Sequence, residues 1–220
     1  MADPDGIRKL EAILAADVVE YSRLMQEDDE STVATLETYR SIFREKIQAR
    51  HGRVVDMAGD SVLAVFNAAS EAVRAACEIQ AVLAKRNAEL FETRRMRFRM
   101  GINLGEVIEK PDGTVYGDGV NIAARLQGLA EPEEIWISGT AYDHVKNKIG
   151  VEFDSLGDRP IKNMSEPVRA YRVRSRPTDA KSARPVALNR KQVSFGFTPY
   201  EVFRQALRGA TDTAASRGDR

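Results

Sequence analysis

Between Met96 and Gly105 the chain alternates without a break: Met96, Phe98, Met100, Ile102 and Leu104 are apolar, and Arg97, Arg99, Gly101, Asn103 and Gly105 are charged, polar or small. A period of two is the signature of a strand and is incompatible with the 3.6-residue period of a helix. The segment is therefore a half-buried strand, and its small, polar second face is expected to be open to a task other than packing. The remaining segments must be compatible with a sheet that includes it.

The order of those segments sets the fold class. Ala12 to Val19 is a short apolar run suited to a buried strand. After the acidic stretch Glu27–Glu30, apolar residues recur at Val33, Leu36, Tyr39, Phe43 and Ile47, the spacing of a helix stripe, with Gly52 as its stop. Val54-Val55 and Val62 to Phe66 read as two strands around the turn Ala58-Gly59-Asp60, and Ala72, Ala76, Ile79 and Leu83 mark a second helix. Turns at Asp112-Gly113 and Gly117-Asp118-Gly119 precede a third helix over Val120 to Ala130, a strand at Ile135-Trp136-Ile137 and a closing pair over 151–153 and 168–173. This order implies an α+β fold of the ferredoxin-like (split βαβ) type, a mostly antiparallel sheet with helices covering one face.

Charge divides the chain in two. Lys and Arg total 33 and Asp and Glu total 33, a balance that excludes a bulk electrostatic nucleic-acid binder. The balance is not local: residues 175–220 hold nine basic and four acidic side chains, and the rest hold 24 and 29. The expected layout is a domain over 7–174, then a linker and basic tail over 175–220 with a short helix at 199–208. The chain has no run approaching the roughly 20 apolar residues that span a bilayer, and its amino terminus lacks the layout of a secretory signal. Its single cysteine, Cys77, suits a reducing compartment, so a cytoplasmic protein is expected. Cys77 and Trp136 read as core, and His51 and His144 as surface residues.

Two sets of polar residues stand out. Asp17 ends the first strand and Asp60 sits in the turn between the next two; in a split βαβ arrangement those elements are neighbours, so the carboxylates meet at one edge of the sheet. Paired carboxylates with backbone carbonyls suit Mg²⁺, which takes oxygen ligands and few protein contacts. The same pair, taken alone, equally fits a turn former and a strand end. Asn121 and Arg125, four apart on a helix, share a face beside the stripe Ile122, Leu126 and Leu129, and offer an amide and a planar guanidinium to a phosphate.

The segments Ala16 to Ser22, Gly59-Asp60-Ser61, Phe98 to Gly105 and Tyr116 to Arg125 resemble, in order and spacing, the catalytic domain of the class III nucleotidyl cyclases. The resemblance covers about residues 8–174. It implies a homodimer with sites at the subunit interface that converts a nucleoside triphosphate to a 3′,5′-cyclic monophosphate and pyrophosphate. It implies two Mg²⁺ or Mn²⁺ ions per site on Asp17, Asp60 and the Val18 carbonyl. Arg99 then matches an arginine on the triphosphate, and Lys162 a lysine on the terminal phosphates. Asn121 and Arg125 match the pair that orients the ribose and stabilises the charged transition state.

Asp56 and Thr114 fall at the two base-reading positions. ATP-using relatives usually have Lys where this chain has Asp56, and a carboxylate cannot donate to adenine N1. It can accept from guanine N1–H and N2–H₂. The resemblance therefore implies cAMP formation as the family default and leaves two alternatives: a guanylate cyclase, or a silent module that binds nucleotide or dimerises without turnover. Glu20 and Asn163 depart from glycines common in the family without removing a ligand.

Overall fold

A computed structural model describes residues 6–161 and 166–174. Lys162 and the chain from 175 onward, with the helix expected at 199–208, lie outside the described residues. In chain order the elements are β1 (Ile7–Val18), α1 (Tyr21–Glu27), α2 (Asp29–Ala49), β2 (Gly52–Asp56), β3 (Val62–Phe66), α3 (Ala69–Ala88), β4 (Phe98–Glu109), β5 (Val115–Tyr116), α4 (Asp118–Leu129), β6 (Ile135–Ser138), α5 (Gly139–Val145), β7 (Glu152–Arg159) and β8 (Val168–Arg174). One sheet runs β2-β3-β1-β4-β6-β8-β7, with β5 paired to β4. Among the described residues only the β4–β6 pairing is parallel, so the α+β, mostly antiparallel expectation holds.

The alternating strand is central, as its pattern requires. Met96, Phe98, Met100 and Ile102 are buried with Ala12, Leu14 and Ala16 of β1 against α2 and α3. The Phe43 ring of α2 sits 4.9 Å from that of Phe98, and Ala72, Ala76, Ile79 and Leu83 of α3 are all fully covered. Burying each large apolar side chain contributes roughly 1.5–3 kcal/mol.

Four local differences have physical causes. Strand β1 starts at Ile7, not Ala12, because β4 pairs with it as far as Glu109. The acidic stretch holds a helix start: Asp28 accepts from the Ser31 amide at 3.0 Å and thereby caps α2. Val33 is exposed, and Thr32 is buried in its place, donating to the Leu24 carbonyl at 2.9 Å. Gly52 does not stop α2; His51 turns the chain in the left-handed region (φ 55°), and Gly52 lies in β2, where a Cβ would fall 2.3 Å from the Phe66 ring.

The main correction concerns the second face of β4. It is not open, and the helices do not all lie on one side. Helix α4 lies across that face, burying Ala123 with Ile13, Ala15, Val65 and Val107. A Cβ on Gly101 would stand 2.2 Å from the Ala123 carbonyl oxygen and 2.3 Å from the Gln127 nitrogen. The small residues are there so that a helix backbone can rest on a strand backbone. Asn103 fixes the seat, donating to the Gly119 carbonyl at 3.1 Å.

Gly101→Ala is therefore expected to destabilise the fold by about 2–3 kcal/mol through overpacking. Gly128→Ala, at a position of α4 where a Cβ meets nothing within 4 Å, is expected to be neutral or to stabilise by up to about 1 kcal/mol. Urea denaturation midpoints of the two variants test the contrast.

Candidate active site

Asp17 stands at the end of β1 directly opposite Arg99 of β4. Both project to the α4 side, the face of Ile13 and Ala15. The two side chains form a forked pair: Arg99 Nε donates to Asp17 Oδ1 at 2.8 Å and Nη2 to Oδ2 at 3.1 Å. Arg99 Nη1 reaches the Gly128 carbonyl of α4 at 3.1 Å, which joins the sheet to the end of the helix. The bond to Asp17, followed by the charges of Asp17, Asp60 and Glu131, raises the guanidinium pKa against the opposing effect of burial. Asp60 is thus close enough for its charge to be felt at Arg99.

Asp60 rides on the loop between β2 and β3, where Gly59 takes φ 56° and the Ser61 amide closes a turn on the Ala58 carbonyl at 3.0 Å. That loop is held from above by Arg40 of α2. Its Nη2 donates to the Met57 carbonyl at 2.8 Å and also to the Gly59 carbonyl, and Glu37 pairs with its Nη1 at 2.5 Å. Nothing in the sequence singled out Arg40, because a guanidinium on a solvated helix face has no distinguishing spacing.

The donor set at this edge is hard oxygen: two carboxylates and the Val18 carbonyl at the last position of β1. Among the described residues no group of three or more His, Cys, Asp or Glu side chains is placed to cage a metal. That fits an ion which uses one or two carboxylates and takes its other ligands from substrate and water. Arg99 occupies two of the roughly four lone-pair sites of the Asp17 carboxylate, so a cation there shares or displaces the guanidinium.

Asp56 is brought to the same face by an irregularity. The β2–β3 register shifts between Val54 and Asp56, so Arg53 opposes Val65 and Asp56 opposes Leu63. Directly opposed residues share a face, and Val65 and Leu63 both pack on the α4 side. Asp56 is exposed and has no side-chain partner among the described residues. Thr114 lies in the tight hairpin between β4 and β5, where its amide and its hydroxyl both donate to Asp112 Oδ1, at 2.9 and 2.6 Å. Arg53 ties this hairpin to β2, donating to the Gly113 carbonyl at 2.8 Å and to Glu109 at 2.7 Å.

Asn121 and Arg125 stand apart from this group. The residues α4 buries are Gly119, Ala123, Leu126 and Gln127, so the exposed side chains of Asn121 and Arg125 face away from the sheet that carries Asp17. Neither side chain has a partner among the described residues. Beside Arg125 is a cavity of about 310 Å³ lined by Ala124, Gly128, Leu129, Pro160 and Ile161; Lys162, the next residue, lies outside the described residues. A larger cavity of about 540 Å³, between β4, the start of α4 and the start of β8, contains none of the expected site residues.

Comparison with known proteins places the chain in a family. The family model described as the adenylate and guanylate cyclase catalytic domain matches residues 10–175, and the chain belongs to that family. It is similar to a putative adenylate cyclase 3 of Rhizobium meliloti, 37% identical over 172 residues, covering 78% of this chain and 29% of the relative. It is also similar to adenylate cyclase 1 of the same organism, 31% identical over 66% of this chain and 24% of the relative. The chain thus spans less than a third of the length of these curated relatives. Among solved structures, an adenylate/guanylate cyclase/hydrolase from Silicibacter pomeroyi is 35% identical with a TM-score of 0.69, covering 76% of this chain and 97% of that one. An adenylyl cyclase from P. aeruginosa shares the fold at 23% identity and a TM-score of 0.67, covering 79% of this chain and 97% of that one.

Arg40→Met is expected to free the loop of Asp60. It deletes two bonds to backbone carbonyls and costs about 1–3 kcal/mol. Faster amide hydrogen exchange confined to residues 57–61 is the local signature to measure.

Proposed function

We propose that the chain cyclises a nucleoside triphosphate to its 3′,5′-cyclic monophosphate, releasing pyrophosphate, and does so as a homodimer with sites shared between subunits. The observation that carries this reading is the division of the polar residues across α4. Asp17, Asp60 and Arg99 gather on the sheet side, while Asn121 and Arg125 are displayed outward without partners among the described residues. One subunit cannot turn both sets toward one phosphate, whereas a second copy can present its α4 to the carboxylates of the first.

In this reading the 3′-oxygen of the substrate bonds to the α-phosphorus, the bond to the β-phosphate oxygen breaks, and the hydroxyl proton leaves to solvent or phosphate. Asp17, Asp60 and the Val18 carbonyl would hold a divalent cation, Mg²⁺ or Mn²⁺, which would supply the Lewis acidity that makes a poor hydroxyl nucleophile reactive. Arg125 lies along the phosphate oxygens and balances the charge that grows there, worth most where water is excluded. Asn121 fixes the ribose. Arg99, beside Asp17, would contact the triphosphate, and Lys162 would hold the terminal phosphates. Asp56 and Thr114 face the base.

The adenylate cyclase names of the relatives support ATP as substrate and cAMP as product. A second reading, GTP, is favoured by one observation: Asp56 is an exposed, unpaired acceptor among the described residues, in a place where an adenine reader needs a donor.

Asp17→Ala and Arg125→Ala are each expected to reduce pyrophosphate release to below about 1% of wild type with either nucleotide. Mixed in equal amounts they are expected to recover about one quarter, because half of randomly assembled dimers are mixed and each mixed dimer has one intact site of two. A mixture that stays inactive while dimers persist refutes the shared site. A wild-type protein that binds nucleotide and releases no pyrophosphate with Mg²⁺ or Mn²⁺ is a silent module.

A further inference from the structure

We infer that Arg40 is a positioning residue for the cation site: it holds the peptide unit between Gly59 and Asp60 in one of two orientations and thereby aims the Asp60 carboxylate at a divalent cation. The inference rests on the cyclase reading above, in which Asp60 is a cation ligand. The loop that carries Asp60 is a tight turn, closed by the Ser61 amide on the Ala58 carbonyl at 3.0 Å. Gly59 and Asp60 are its central residues; Gly59 takes φ 56°, and Asp60 keeps a negative φ. Positive φ at the first central residue alone marks a type II′ turn, whereas type I′ has it at both. The two forms differ chiefly in which way the central peptide unit faces. Glycine is free in either, and aspartate tolerates the left-handed region better than most residues, so the local sequence does not choose between them.

Arg40 makes the choice. Its Nη2 donates to the carbonyl of Gly59, which belongs to that central unit, and at 2.8 Å to the Met57 carbonyl just before the turn. A peptide unit is planar and trans, with its C=O and N–H opposed, so a Gly59 carbonyl held at α2 sends the Asp60 amide away from α2. Turning the unit over would break the bond to Arg40 and change the sign of φ at Asp60, and with it the direction in which the carboxylate leaves the turn. The arginine is itself held in place. Its side chain is only 15% exposed, and Glu37, one turn earlier on α2, takes Nη1 at 2.5 Å. Its Nε is buried with no acceptor among the described residues. A buried donor left unpaired is costly and calls for a reason; here the guanidinium is oriented for the two loop carbonyls and its third donor goes without. The aim matters because the charge of Asp60 is felt at Arg99, the partner of Asp17, so a swing at the turn decides whether both carboxylates reach one ion.

The test uses the full chain as wild type, Arg40→Met, Arg40→Lys, Asp60→Asn and Arg44→Met, the last at an exposed arginine one turn further along α2. Mn²⁺ alone is titrated into each, with binding read from the loss of the free-ion electron paramagnetic resonance signal, and pyrophosphate release is then followed against Mn²⁺ concentration. Wild type and Arg44→Met are expected to bind alike, and Asp60→Asn to lose that binding. Arg40→Met is expected to weaken Mn²⁺ binding about tenfold, the scale for residues that orient a metal ligand. Its half-saturating Mn²⁺ concentration for pyrophosphate release is expected to rise by the same factor, with the rate at saturating Mn²⁺ recovering to within about threefold of wild type. A residue that only stabilised the fold would lower the rate at every Mn²⁺ concentration and leave half-saturation where it was. Arg40→Lys brings one ammonium to two carbonyls and is expected to fall between, weakened about threefold; it carries the test if Arg40→Met fails to fold. Mn²⁺ affinity unchanged in both Arg40 variants overturns the role of Arg40 alone. Wild-type binding that survives Asp60→Asn, or no binding by wild type, overturns the cation assignment and the inference with it. Mn²⁺ binding that weakens in Arg40→Met, with no pyrophosphate release by wild type, supports the inference while removing the cyclase reading.

Discussion

Helix α4 lies directly on the backbone of β4, and the missing side chain at Gly101 makes that possible. With the Ala123 carbonyl and the Gln127 amide filling the space a Cβ would need, the helix axis is set by backbone contact, not by interdigitated side chains. This seat determines the rest of the polar geometry. It presses Ala123 and Leu126 into the domain, turns Asn121 and Arg125 outward, and brings the Gly128 carbonyl to Arg99. Interiors are packed to crystal density and relax little, so a methyl group at position 101 displaces a whole helix and every group aligned with it.

At the end of that seat, Asp17 and Arg99 form a forked ion pair. In the structure described, the guanidinium offsets the carboxylate's desolvation and supplies its hydrogen bonds, which keeps an acidic group stable at a partly covered strand end. For a domain that carries an excess of five negative charges over residues 1–174, and whose family uses divalent cations, this matters. Carboxylates gathered to hold a cation repel one another without it. The neighbouring Arg99 offsets that repulsion at Asp17 in the structure described.

The fold was legible where burial sets the pattern. The alternation of β4 and the stripes of α2 and α3 follow from which side chains leave water, and Asp17, Asp60 and Arg99 fall together because strand order puts β1 between β3 and β4. What was not legible arises from backbone contacts. The small face of β4 reads as free surface, since glycine records that something comes close without recording what. Val33 and Thr32 exchange roles because a threonine whose hydroxyl finds a carbonyl at 2.9 Å is buried as readily as a valine. Arg40, Arg53 and Asp112 act on carbonyls, amides and a hydroxyl brought near by folding, and no local spacing announces such partners. The shared face of Asn121 and Arg125 on α4 was readable, but its separation from Asp17 required the helix to be placed.

The irregular register of β2 has a wider consequence. In a straight strand Val55 alone would stand opposite Leu63; the shift adds the Asp56 carboxylate to the face on which Val55 already packs. A bulge changes which residue a sheet presents without moving the strands beside it. Asp17, Asp60 and the Arg40 brace are anchored by β1, β3 and α2, so they are indifferent to how many residues β2 spends before its end. The side chain exposed at this end of β2 can therefore change by insertion or deletion of a single residue, a route distinct from substitution, while Asp17, Asp60 and the Arg40 brace stay where they are.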